Sequence, residues 1–407
     1  MNICTIIAKN YLAHARVLSE SFRRHHPDGA CHVLIIDETD GFVDAEQEPF
    51  TLVRPAQIGL EAWDEMRGAY NVLELSTAVK PWLLRHLLRT VDDGTGVAYL
   101  DPDIRVMSRM VELEATLLEH SAVLTPHVTR GMPRDGKKPS EFDILLAGVY
   151  NLGFIGLSDS EPAHELLDWW SERLLTDCHV APDKGLFVDQ RWVDFVPGMV
   201  AELDIFRDPT YNVAYWNLPE RELTQAADGS YLANDRPLRF FHFSGYNPDA
   251  RETLSRHQTR VQITDDEVLR ELCFGYADAL EDRGFDAVRD FPYDHDVLPS
   301  GLRMTNLMRT LYRTGVEAGE LPESLFSSAG EAEFVAWLNE SAPGEPGLTR
   351  FLHAVWEARP DVQRAYPQPG GRDLEEFLGW CAVHGRICCQ AHSERASVRV
   401  FHVPWRQ

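Results

Sequence analysis

Short apolar runs alternate with helical stripes through the first two-thirds of the chain. Ile3 to Ala8 is a continuous apolar run, and the polar break Lys9-Asn10-Tyr11 follows it. Leu12, Ala15, Leu18 and Phe22 then recur at helical spacing through about Arg24, and Pro27-Asp28-Gly29 is a turn. His32 to Ile36 is a second apolar run, ending at Asp37. Runs this short, with no polar face, suit strands buried on both sides of a parallel sheet. Strand, helix and strand at this spacing predict a right-handed βαβ opening of Rossmann-like kind. No Gly-x-Gly-x-x-Gly follows the first strand, so a dinucleotide fingerprint is absent.

Residues 41–75 carry no clear period. Thr77 to Leu88 returns to a helix with Val79, Leu83 and Leu87 on one side, and Val97 to Leu100 is again a strand. A helix from about Met110 to Glu119 and a strand Ala122–Thr125 follow. Gly131, Pro133, Gly136, Lys137, Lys138 and Pro139 give residues 127–142 the composition of a loop, either one that closes over a ligand or a plain surface loop. Leu145 to Leu157 reads as a strand interrupted by Asn151 and Gly153, and Ala163 to Leu175 as a helix. Leu238 to Gly245 is a last strand, broken by His242.

The character changes after about Asp290. Leu302–Tyr312, Phe334–Leu338, Leu348–Trp356 and Asp373–His384 are apolar stripes at helical spacing, the third stopped by Arg359-Pro360 and the fourth by Gly385. The expected organisation is an α/β domain over 1–260, a linker over 261–300 and a small all-α module over 301–407. The apolar face of that module suits a homodimer.

The chain has 407 residues with 39 basic and 64 acidic side chains, a net charge of −25. That excludes a nucleic-acid binder and a polybasic membrane surface, while a nucleotide ligand stays compatible if a metal ion offsets the field. No apolar run is long enough to cross a membrane, and the N-terminus starts as a strand without a basic leader. Seven scattered cysteines, including the adjacent Cys388-Cys389, lack zinc spacing, and a reducing, cytoplasmic location is expected.

The chemistry concentrates where the strand Val97-Ala98-Tyr99-Leu100 runs into Asp101-Pro102-Asp103. Pro102 ends regular pairing, and the two acids sit at the carboxyl end of a strand, where open α/β sheets bind ligands. Like charges this close call for a cation, and a divalent ion with oxygen ligands is the natural one. His242 is either a satisfied core residue or a third ligand suited to Mn²⁺. Lys80 is either a solvated lysine or a cation for phosphate. Asn151 is either a satisfied core amide or a partner for a sugar hydroxyl. Asp189 is a further acid beside an apolar segment. Residues 205–218 mix aromatic and amide side chains, as both sugar sites and cores do. Gly245 permits close approach of backbone to phosphate.

Four signals in order, Asp101-Pro102-Asp103, Tyr150-Asn151-Leu152-Gly153, Asp189-Gln190 and the strand with His242, resemble the GT-A glycosyltransferases. They most resemble the retaining enzymes of glycosyltransferase family 8, the glycogenin and bacterial galactosyltransferase type, over roughly residues 1–260. The resemblance implies a Rossmann-like, mostly parallel sheet with helices on both faces. It also implies Mn²⁺ (or Mg²⁺) held by Asp101, Asp103 and His242, with Asp101 also near the ribose. Thr5, Ala8, Asn10 and Tyr11 would hold the base, Lys80 would lie near the diphosphate, and Asn151 and Asp189 would touch the donor sugar. Gln190 would lie near the anomeric carbon.

The family continues its histidine motif to a lysine that touches the diphosphate. Here His242-Phe243-Ser244-Gly245-Tyr246-Asn247-Pro248-Asp249 has none, and Arg256, His257 or Lys137 would stand in. The helical tail looks like one appended to bacterial glycosyltransferases of surface-polysaccharide and natural-product pathways. The expected activity is transfer of a sugar, with retention, from a nucleotide-diphosphate sugar (a UDP-sugar first) to a carbohydrate or small-molecule acceptor. A nucleotidyltransferase and a non-catalytic carbohydrate-binding or scaffold protein are the alternatives.

Overall fold

The computed structural model describes residues 1–388 except 92, 93 and 95; Cys389 of the adjacent cysteine pair lies outside them. The chain forms two compact units, one of Met1–Leu60 with Leu73–Tyr293, the other of Glu61–Val72 with the chain from Asp294 onward.

The first unit is built on a seven-stranded sheet. Its strands are β1 (Asn2–Ile7), β2 (Cys31–Ile35), β3 (Thr51–Val53), β4 (Val97–Leu100), β6 (Ala122–Pro126), β7 (Tyr150–Leu157) and β8 (Leu203–Ile205), in the order β8-β6-β7-β4-β1-β2-β3. All neighbours are parallel except β7, which runs antiparallel to β4 and β6. The expected α/β class with a mostly parallel sheet is therefore present. All six residues of β1 are buried, so both faces of the sheet are covered there. Helix α1 (Leu12–His25) packs Leu12, Ala15, Leu18 and Phe22 into a core shared with Ile3, Ile7, Val33 and Phe154.

Two elements position the site. The chain leaves the main sheet after Leu100 and resumes as β5 (Ile104–Val106), which pairs antiparallel with β9 (Phe240–His242), placing His242 opposite Ile104. Phe243 N–H donates to the Asp103 carbonyl at 2.9 Å, closing this two-stranded ribbon onto the acidic turn. The last strand expected over 238–245 is thus short and belongs to the ribbon.

Several local expectations change. The single helix expected over 77–88 is two, Val72–Ala78 and α2 (Lys80–Thr90), with Pro81 in the first turn of the second. Residues 145–157 do not form one strand: Glu141–Ala147 is a helix, α3. Ser140 caps it in a reciprocal box with Asp143, and Gly148 ends it at φ +122°. Helix α4 (Glu161–Leu174) follows β7, as expected. The stretch 261–300, read as a linker, carries a 16-residue helix, α5 (Glu267–Asp282), capped by Asp266. Its Leu269, Leu272, Cys273, Tyr276 and Leu280 are buried in the same core as β1 and α1.

The second unit is helical, with one added hairpin of Ser341–Ala342 and Glu345–Thr349. Thr305, Ser327 and Thr349 cap three of its helices through side-chain oxygens. The short helix Trp63–Ala69 belongs here: Ala69 joins Met308, Tyr312 and Phe334 in one core, and a Cβ on Gly68 would fall 2.6 Å from the Tyr312 ring. Arg309, 2% exposed, locks the segment in place. Its guanidinium donates to the carbonyls of Arg67, Gly68, Tyr70 and His295 at 2.6–3.2 Å. No described helix is long and apolar enough to cross a membrane.

Arg309→Met removes the donor these four carbonyls share. It is expected to lower the stability of the second unit by about 2–4 kcal/mol and to speed proteolysis near residues 61–72. Urea unfolding followed with limited proteolysis checks both.

Candidate active site

Asp101 follows the last residue of β4, and its N–H donates to the Gly153 carbonyl of β7 at 2.8 Å. Ile104 N–H returns to the Asp101 carbonyl at 3.1 Å, a tight turn that points both acids the same way. The β5–β9 ribbon supplies the third group: His242 Nε2 lies 3.0 Å from Asp103 Oδ1 and 3.6 Å from Asp101 Oδ2. One ligand atom from each of the three lies within 4.8 Å of the others. The Asp101 and Asp103 side chains are 31% and 24% exposed and His242 only 3%, so the cluster opens to solvent on its carboxylate side. Two carboxylate oxygens and one imidazole nitrogen form a donor set that suits Mn²⁺ or Mg²⁺, Mn²⁺ better because of the imidazole.

The charges are coupled. Burial and the neighbouring Asp103 push the Asp101 carboxyl up, against the pull of Lys80 and His242. For Asp103 burial acts the same way, yet the imidazole beside it wins and holds the carboxyl below its ordinary value. Burial opposes charge on His242, and the two carboxylates overcome it and hold the imidazolium above its ordinary range.

Gly153 makes the convergence possible. A Cβ there would lie 2.4 Å from His242 Cε1 and 2.8 Å from both Asp101 Oδ2 and Asn151 Oδ1. The close approach that a glycine inside a strand suggests is real, and what approaches is the His242 imidazole itself.

Behind the acids lies a buried charge network. Lys80 is 1% exposed and Asp189 2%; the ammonium sits 2.5 Å from Asp189 Oδ2, 2.9 Å from the Leu152 carbonyl and 4.1 Å from the centre of the Tyr99 ring. Tyr99 OH donates to Asp101 Oδ1 at 2.9 Å. Lys80 is therefore neither a surface lysine nor extended toward solvent: its contacts hold it beneath the acids. Burial pushes the Asp189 carboxyl up, and Lys80 opposes that shift.

An amide cluster flanks these groups. Asn151, 8% exposed, contacts Gln190, His127 and Asn212. Gln190 donates to the Ala147 carbonyl at 2.9 Å and accepts from Leu152 N–H at 3.0 Å. Asn212 is a member that sequence reasoning did not single out, although it lies in the amide-rich stretch 205–218. It is 1% exposed, sits at φ +50° and faces His242 Nδ1 at 3.3 Å. Asn217 holds its backbone by donating to the Asn212 carbonyl at 3.0 Å.

The remaining candidates are spread along β1, the segment that follows it, the loop 127–142 and the segment after β9. Thr5 is buried within β1, next to Cys4, which pairs with Tyr99 of β4; among the described residues its hydroxyl has no hydrogen-bond partner. Ala8 is buried and Asn10 half-buried. Tyr11 is 44% exposed and stacks on His14 at 4.5 Å. Burial raises the Tyr11 phenol, and the Asp103 charge adds to the shift, so Tyr11 lies within the field of the acids. Gly245, at φ +70°, packs against Ser255 and His257; a Cβ would fall 2.5 Å from the His257 ring. Arg256 and His257 are exposed beside it. Lys137 lies in a loop tied down by Arg260, which donates to the carbonyls of Pro133, Lys137 and Pro139 and pairs with Asp135 at 2.8 Å.

No family model matches the chain. Two uncharacterized proteins of Bacillus subtilis (strain 168), YfnF and YfnD, are each 26% identical to it. The matches span 60% of this chain in both cases, and 80% and 76% of those proteins. Among solved structures, the chain is similar to the galactosyltransferase LgtC in complex with donor and acceptor sugar analogs, at 13% identity and a TM-score of 0.43, over 69% of this chain and 96% of that one. It is also similar to the glycosyltransferase GlyE of Streptococcus pneumoniae TIGR4, at 15% identity and a TM-score of 0.40, over 73% of this chain and 66% of that one.

Gly153→Ala drives a methyl group into His242 and Asp101. It is expected to lower stability by about 1–3 kcal/mol, measured by thermal melting. His127 and His14 give a pH signature of their own. Burial holds both imidazoles down at about 4, against an ordinary 6.5. A depressed folded value stabilises above the unfolded pKa and loses that contribution as pH falls from 6.5 toward 4. Each is expected to cost about 1–2 kcal/mol between pH 7 and pH 5, and His127→Gln to flatten that slope in urea titrations.

Proposed function

We propose that this chain is a metal-dependent glycosyltransferase of the GT-A type, taking its sugar from a nucleotide-diphosphate donor. The observation that carries the reading is the meeting of Asp101, Asp103 and His242 at the carboxyl end of β4, over a glycine that leaves room for them. The acids and the imidazole would hold Mn²⁺ or Mg²⁺. When bound, such an ion neutralises charge that develops on the departing diphosphate.

The chain's own residues do the rest. Tyr99 orients Asp101 through its hydroxyl, and Lys80 beneath them adds positive charge without leaving the interior. Asn151 and Asp189 are the groups assigned to the donor sugar, and Gln190, gripped by two backbone groups, is the one assigned beside the anomeric carbon. An acceptor that approaches from the side of the departing phosphate gives retention. Arg256, exposed next to Gly245, is the cation assigned to the diphosphate in place of the family's lysine, with His257 beside it accepting from its guanidinium at 3.2 Å. A UDP-sugar is the first donor to test, with a carbohydrate or small-molecule acceptor. The scattered free thiols support a reducing, cytoplasmic setting.

Incubation with a panel of nucleotide sugars and Mn²⁺ is expected to release nucleoside diphosphate. Chelation should abolish release, and Asp103→Ala should reduce it about 100-fold or more. Release of pyrophosphate, or turnover that is indifferent to Asp103→Ala, would overturn the reading.

A further inference from the structure

The amide cluster has only one internally consistent set of orientations, and that set reaches the candidate metal site. Gln190 anchors it. Its Nε2 donates to the Ala147 carbonyl, which can only accept, and its Oε1 accepts from Leu152 N–H, which can only donate. The Gln190 amide is thereby fixed. Its Oε1 also lies 3.4 Å from Asn151 Nδ2, so that side of Asn151 is the donor. The second Nδ2 hydrogen of Asn151 goes to His127 Nε2 at 3.3 Å, which is free to accept because His127 Nδ1 lies 3.2 Å from the Val149 carbonyl and donates to it.

Asn151 Oδ1 is then turned away from Gln190. It accepts from Gly153 N–H at 3.2 Å and from Asn212 Nδ2 at 3.0 Å. Asn212 Nδ2 uses its other hydrogen on Thr125 Oγ1 at 2.8 Å. Only Oδ1 of Asn212 remains to face His242 Nδ1 at 3.3 Å, and a carbonyl oxygen can only accept. Nδ1 must carry the hydrogen. The lone pair of the neutral ring is then on Nε2, the nitrogen that faces Asp101 and Asp103. Gln190, Asn151, Asn212, His127 and His242 are all buried, so water does not compete for these bonds.

We propose that Gln190, Asn151 and Asn212 form a one-way hydrogen-bond relay. It locks His242 in the Nδ1–H tautomer and so presents Nε2 to a divalent cation. This rests on the metal reading above and extends it. Asn212 is a positioning residue, and Gln190, which contacts none of the three ligands, influences the metal centre through two intervening amides. A free neutral imidazole favours the opposite tautomer, so the preference has to be imposed by the surroundings.

Two measurements on the full chain test this without turnover. The first is Mn²⁺ titration followed by electron paramagnetic resonance, with no nucleotide present. Asn212→Leu is expected to weaken Mn²⁺ about 10- to 100-fold while the melting temperature stays within a few degrees. Asn212→Asp, which keeps an acceptor for Nδ1–H, should restore binding, and Gln190→Leu should weaken it measurably. The second is the ¹⁵N spectrum of the metal-free protein at alkaline pH, expected to show His242 as the Nδ1–H form. If the wild type binds Mn²⁺ but Asn212→Leu binds it equally well, the relay is wrong. An Nε2–H signal in the wild type overturns it even if no variant folds. Failure of the wild type to bind Mn²⁺, with the Nδ1–H signal present, would sink the metal reading and leave the relay standing.

Discussion

Two carboxylates one residue apart at the end of a buried strand repel each other, and much of the surrounding structure answers that repulsion. The strand cannot continue through them, so the chain turns at Pro102 and starts a new ribbon. The ribbon's partner strand brings an imidazole within reach of both acids. A lysine is drawn underneath, at the expense of its own hydration, and needs Asp189, a carbonyl and an aromatic face to remain there. Each charge is tolerable only because the next one is present. Removing any one of them leaves an uncompensated ion in a medium of low polarity.

The same constraint explains the glycine and amide composition around the acids. Groups this crowded leave no room for a Cβ at residue 153, and buried amides must find partners among themselves. Asn151, Asn212 and Gln190 satisfy one another and the backbone, which makes the cluster rigid before any ligand arrives. Preorganisation of this kind is what a site needs if it is to act on charge that develops only briefly.

How much of this was legible beforehand follows from distance along the chain. The βαβ opening was readable because its period lies within a few residues, and the acidic turn because an apolar run ends on it. Gly153 was readable as an interruption, though not what it makes room for. Helix α3 was hidden because its apolar residues run straight into those of β7; only Ser140 and Asp143 mark where it starts. The fate of Lys80 was not readable at all, since its carboxylate partner lies 109 positions away. Asn212 escaped for the same reason: its partners are Thr125, Asn151 and His242, brought together only by the fold. Helix α5 lies in a stretch whose composition reads as a linker, although the aliphatic stripe of Leu269, Leu272 and Leu280 marks its buried face.

The detour of residues 61–72 into the second unit has a consequence for biosynthesis. Their packing partners begin at Asp294, roughly 220 residues later. At a translation speed of about 5–20 residues per second, Ala69 waits on the order of tens of seconds after leaving the ribosome before Met308, Tyr312 and Phe334, its core partners, exist. During that interval the nascent chain carries the segment of the Trp63–Ala69 helix without the core it packs into. A chaperone that masks short apolar segments would find its target there, and a chain cut short near Tyr293 would keep that target for good.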